Sequence, residues 1–264
     1  MTGLSLQPAH YEVHVANYSL VLALVLLAGG PVNYLADQRK KYLAAGLVVV
    51  SVIALGWGTF EVARSTAKFA PASLIRDKAT PVARRLAELD SNSNADPTET
   101  RPVVLVTDSV VADYLPTIAS NPLLWAPHLY GFAGVTPADE QVRLMKFLYY
   151  TGVRFEGVDE SRFEKLDPQR KLCFSILVGR DRIHKGLYAG WKPIAPEEYE
   201  RAERAYSNFV ASFDRKMASE PTLAYVVTAA ESTVDLSNLD RWYERSGEER
   251  RGDYILYRAS LRSP

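Results

Sequence analysis

Cysteine is almost missing from this chain: Cys173 is the single one in 264 residues, so no intramolecular disulfide can form. Its setting in LCFSILV reads as a small buried residue of a strand. A surplus of charge is missing as well. The 31 basic and 31 acidic side chains give a formal net charge of zero, which leaves no long-range field to gather phosphates, and no nucleic-acid partner is expected. Neither GxGxxG nor GxxxxGK[ST] follows an apolar run, and HExxH does not occur. With no Ser/His/Asp order and no paired carboxylates in an isolated setting, no catalytic residue, metal or cofactor is expected. His10 and His14 stand four apart around Glu12 and would share a helix face, but no third ligand accompanies them.

The most informative absence is local. From Tyr18 to Ala36, and again from Tyr42 to Phe60, there is no Lys, Arg or Glu. Each run is about 19 residues, enough at about 1.5 Å per residue to match a hydrocarbon core of roughly 30 Å. The expectation is two transmembrane helices, with Arg39, Lys40 and Lys41 in a short cytoplasmic loop between them and both flanks outside. No Lys or Arg precedes Arg39, which speaks against a cleaved signal peptide. The expected organisation is an extracytoplasmic segment over 1–17, a two-helix hairpin over 18–60, a juxtamembrane helix and linker over 61–100, and an extracytoplasmic domain over 101–264. The expected place is a bacterial inner membrane.

Beyond the apolar runs, SLIRDKATPVARRLAEL reads as an amphipathic helix interrupted at Pro81, and SNSNADPTETRP as a polar linker. PVVLVTD, PLLWAPH and KLCFSILVG read as buried strands, LAYVVT and GDYILYRASL as further ones. TPADEQVRLMKFLYYTG has the marks of a helix: Thr136 as N-cap, Pro137 at the first turn and Gly152 at the stop. PEEYERAERAYSNFVASFDRKMA reads as a long helix burying Tyr199, Ala202, Tyr206, Phe209 and Phe213, and a last helix is expected around LSNLDRWYER. Strands alternating with helices predict a membrane-anchored α/β fold with a mixed or mostly parallel sheet.

The ligand-binding candidates follow from that layout. Asp108 and Ser109 end the first strand, where α/β sheets gather ligands, although Asp and Ser there also suit an N-cap. Trp125, His128 and Tyr130 in LLWAPHLYGFAG combine aromatic faces with an imidazole, a set suited to sugars and equally to a loop folded on the core. Arg180 and Arg182 in GRDRIHKG suit lipid phosphate or a phosphorylated ligand, or a solvated loop.

VVLVTDS, LLWAPHLYGF, LYYTGV, YVVT, LDRWYERSG and YILYRA together resemble the C-terminal part of bacterial multispanning membrane proteins related to GT-C glycosyltransferases. The resemblance implies an outer domain serving a cell-envelope enzyme that uses polyprenyl-phosphate-linked sugars. The family's catalytic carboxylate lies after the first of many spans, so no catalytic residue carries over to this chain, which would be a tail or an accessory subunit. The partners implied are membrane lipid, a polyprenyl-phosphate sugar or glycan, and a multispanning catalytic subunit. The alternative is a non-catalytic, membrane-anchored binding or structural module that contacts another envelope protein.

Overall fold

A computed structural model describes residues 37–92, 102–127, 136–178 and 194–263. The chain divides into two compact units, 1–70 and 71–264.

Helix α1 runs from Asp37 to Asn92, 56 residues with Pro71 and Pro81 inside it. This changes the reading of the N-terminal part. Arg39, Lys40 and Lys41 belong to the opening turns of α1, not to a loop between two helices. The run Tyr42–Phe60 is not an element of its own either, because the helix continues through Glu61, Arg64, Lys68, Arg76, Asp77 and Lys78. Among the described residues no helix is long and apolar enough to cross a membrane. The two transmembrane helices, and with them the membrane-anchored fold class, are therefore not supported; the α/β domain with a mixed sheet is what stands. The first apolar run, Tyr18–Ala36, lies outside the described residues.

Pro81 does not end the helix as its missing N–H would lead one to expect. Ala79, Val82, Ala83 and Leu86 recur at helical spacing and are all fully buried, so packing along this stripe outweighs the lost hydrogen bond.

The sheet has four strands in the order β1-β2-β4-β3, namely β1 Val103–Val106, β2 Leu223–Ala229, β3 Tyr243–Arg251 and β4 Tyr254–Leu261. β1 and β2 are parallel, and the other two pairings are antiparallel. β1 is apolar at all four positions because both its faces are covered. Val104 and Val106 meet α1 and the short α2, Ser109–Tyr114, which contributes Val111 and Ala112. Val103 and Leu105 face the opposite layer of α3 Pro137–Tyr150, α5 Pro168–Leu177 and α6 Pro196–Ser212. The short helices α4 Glu160–Lys165, α7 Arg215–Ser219 and α8 Ser237–Asp240 complete the set. The domain is thus a sheet between two helical layers.

α3 begins and ends where its sequence says. Thr136 Oγ1 accepts from Asp139 N at 3.2 Å, and Gly152 takes φ +65° just past the last turn. A Cβ at Gly152 would also stand 2.8 Å from the Asp235 carbonyl oxygen.

Three segments depart from the sequence reading. KLCFSIL is helical: Asp167 caps α5 by accepting from Arg170 N at 2.9 Å, Pro168 opens it, and Cys173, Phe174 and Leu177 form its buried face. Among its described residues 122–127, PLLWAPH has no strand but one parallel bridge, Val104 to Leu123, held by Val104 N to Pro122 O at 2.9 Å and Leu124 N to Val104 O at 2.8 Å. The helix expected around LSNLDRWYER is confined to α8, Ser237–Asp240, and its YER end opens β3, whose hairpin to β4 turns at Gly252 with φ +63°.

Candidate functional site

The parallel strands β1 and β2 end together, and the end is closed by side chains. Thr107 Oγ1 donates to Thr228 Oγ1 at 3.3 Å, joining the two strand exits. Gln169, in the first turn of α5, donates from Nε2 to the Thr107 carbonyl at 3.0 Å and accepts from Ser109 N at 3.3 Å. Asp108 Oδ1 accepts from Val110 N at 2.8 Å and Val111 N at 3.1 Å. Asp108 is therefore the N-cap of α2, and Ser109 is buried beside it.

Trp125 is not part of that end. It is buried on the α3 side with its ring 4.9 Å from Phe147, and its Nε1 has no hydrogen-bond partner among the described residues. Of the seven candidates, the structure brings together Asp108 and Ser109 and puts Trp125 in the core. His128, Tyr130, Arg180 and Arg182, like His10 and His14, lie outside the described residues. Among the described residues no group of His, Cys, Asp or Glu has the arrangement of a metal site.

Two hollows are occupied by structural bonding. A cavity of about 760 Å³ at the amino ends of β1 and β2 is lined by Arg143 and Lys146. Lys146 Nζ donates to the carbonyls of Met217, at 2.6 Å, and Glu220, tying α7 and the start of β2 to α3. Burial holds its ammonium below the ordinary lysine value, opposed by Glu220. A hollow of about 380 Å³ beyond β2 is bounded by Arg245, which forms a bidentate pair with Asp240 at 2.7 and 2.8 Å and lies 5.0 Å over the Tyr257 ring.

A third cavity, about 440 Å³, opens between α3, α6 and α8. Tyr149 reaches it from the end of α3, and its hydroxyl accepts from Trp242 Nε1 at 2.9 Å. Tyr206 reaches it from α6 and donates to the Val153 carbonyl at 2.8 Å. Burial pushes the Tyr206 phenol well above its ordinary value, and the Tyr149 phenol adds to the shift. Arg154, Glu156, Glu203 and Arg241 line the same space, and Asn238 Nδ2 donates to the Tyr149 carbonyl at 3.0 Å. Reading Tyr206 only as core missed this cavity. The available signal was chemical: a buried phenol needs a partner for its hydroxyl.

The second exceptional surface is on α1. Val48, Val49 and Val50 are successive and 62, 57 and 47 % exposed, and Ile53, Leu55, Trp57 and Phe60 are more than half exposed. Successive helical residues differ by about 100° in direction, so the apolar surface extends around much of the helix and does not form one stripe.

Comparison with protein-family models, curated proteins and solved structures finds no match to this chain. The functional reading rests on its own geometry.

Proposed function

We propose that this chain is a non-catalytic binding module which docks through residues 42–62 of α1 onto a partner protein presenting several apolar helices. The observation that carries this reading is the ring of exposed Val, Ile, Leu, Trp and Phe side chains on α1. Exposed apolar patches of this extent mark interaction surfaces in folded proteins. Each such side chain gains about 1.5–3 kcal/mol when it leaves water. The angular spread decides the kind of partner, because one helix laid alongside covers one face, whereas a groove between helices covers most of the circumference. Ala54 and Gly58 lie four residues apart on one face, and neither Gly56 nor Gly58 has an atom within 4 Å of a built Cβ. Small side chains let another helix approach closely.

The non-catalytic part of the reading is supported by the uses of the polar groups at the strand ends. Asp108, Gln169, Thr107 and Thr228 each bond another part of the chain. A narrower form names the partner as a multispanning transferase that uses polyprenyl-phosphate sugars; what supports it is the likeness of VVLVTDS and LLWAPHLYGF to the outer domains of such proteins.

Photo-crosslinking in the native cells tests the docking. A photoreactive residue at Val49, Ile53 or Trp57 should give one discrete adduct with the same multi-helix protein, and one at Glu88 should not. Adducts of this chain with itself alone, or none at all three positions, would overturn the reading.

A further inference from the structure

We infer that the cavity between α3, α6 and α8 binds a small polyhydroxylated ligand of the sugar or polyol class, whose hydroxyls accept from Tyr149 Oη and donate to Tyr206 Oη. This inference is independent of the docking of α1.

The hydrogen-bond inventory of the two phenols carries it. A phenol has one hydrogen to give and lone pairs to accept with. The Tyr149 oxygen accepts the indole N–H of Trp242, and its own hydrogen has no acceptor among the described residues, although the residue is only 2 % exposed. That hydrogen is left to meet an acceptor inside the cavity, and a hydrogen bond made there contributes about 0.5–1.5 kcal/mol. Tyr206 is the complement: its hydrogen goes to the Val153 carbonyl, and its oxygen remains to accept. One buried donor and one buried acceptor line the same space. A hydroxyl both accepts and donates, which an ionised carboxylate or an ammonium does not do; a single water does so too, but the space is many times larger than one water, which favours a ligand carrying several hydroxyls.

The rest of the lining points to the same class. Arg154 and Arg241 are matched by Glu156 and Glu203, leaving no excess charge to select an ion. Glu203 Oε1 accepts from Gly157 N at 2.8 Å and so is held in place, leaving its other oxygen to accept. Planar donors and acceptors beside the Phe155, Tyr149 and Tyr206 rings match a molecule with polar edges and apolar ring faces. The volume of about 440 Å³ lies within the usual range for small-molecule sites.

The test is saturation-transfer NMR on the purified full chain with three probes: methyl β-D-glucopyranoside, myo-inositol and 1,4-dioxane, an ether ring without hydroxyls. The glucoside or the inositol should bind in the millimolar range and dioxane should not. Tyr149→Phe should weaken binding about tenfold, the scale of one hydrogen bond. Ser207→Trp should abolish it by filling the cavity mouth. Ser207 is exposed and outside the phenol pair, so its variant decides the matter should Tyr149→Phe lower the melting temperature. No binding of either hydroxylated probe, binding of dioxane to the same extent, or binding unchanged by Ser207→Trp would overturn the inference. Binding unchanged in a folded Tyr149→Phe variant would overturn it equally.

Discussion

Val82 and Val49 belong to the same helix, yet Val82 is fully buried beneath the sheet and Val49 is more than half exposed. Around Val82 the apolar residues form one stripe, Ala79, Val82, Ala83 and Leu86, and the opposite side carries Arg84 and Glu88. Around Val49 they follow one another without a polar side. The contrast teaches that apolar content and apolar periodicity carry different information: a stripe specifies its cover within the fold, whereas a continuous run asks for cover from several directions. The same helix thus has one part whose burial stabilises the domain and another whose burial is left to something else.

The largest expected effect breaks that comparison directly. Val82→Asp places an unpaired carboxylate in the core and should cost on the order of 4 kcal/mol or more, enough to abolish a cooperative unfolding transition. Val49→Asp should change domain stability by no more than about 0.5 kcal/mol while removing the crosslinked adduct. Equal thermal shifts for the two would show that residues near Val49 are also part of the folded core.

Trp125→Ala comes next, at about 3–5 kcal/mol, because it empties the space against Phe147. Chemical denaturation checks it. An unchanged midpoint would return Trp125 to the surface role that its loop suggests.

A smaller effect depends on pH. Burial first, then Asp108 and Asp253, pushes the Tyr254 phenol up to about 12. Below about pH 10 the phenol is neutral in both folded and unfolded chains; between about 10 and 12 only the unfolded chain loses the proton, so stability falls as pH rises. The loss assigned to this residue is on the order of 2 kcal/mol, and Tyr254→Phe should flatten the fall measured by urea titration from pH 9 to 12. Identical slopes in the two proteins would contradict it. Asp108→Ala should cost less again, about 1 kcal/mol from loss of the α2 cap, with no change in binding of the hydroxylated probes.

The elements legible in the sequence were those with both a pattern and a boundary. α3 had Thr136, Pro137 and Gly152 around its stripe, and β2 and β4 had apolar or alternating runs between turn residues. KLCFSILVG was misread because a short continuous apolar run fits a buried strand and a buried helix alike; Asp167 and Pro168, the cap and first turn, held the distinction. β3 was illegible for the opposite reason: Glu244, Arg245, Glu248, Glu249, Arg250 and Arg251 hide any alternation, and pairing with β4 makes it a strand.

Of the candidate site, Asp108 was legible as a cap and as the end of β1. The tyrosine cavity was not legible, because Tyr149 and Tyr206 sit on separate helices with no motif linking them. Their relation appears only when hydrogen-bond donors and acceptors are counted in three dimensions.

The contrast along α1 is tested most directly by amide hydrogen exchange on the full chain alone. The amides of 79–86 should exchange only through global unfolding, because the sheet must separate from the helix to expose them. Those of 42–62 should exchange orders of magnitude faster, through local fraying of an uncovered helix, and should slow when the partner is added. Protection of 42–62 equal to that of 79–86 in the isolated, monomeric chain would contradict the account.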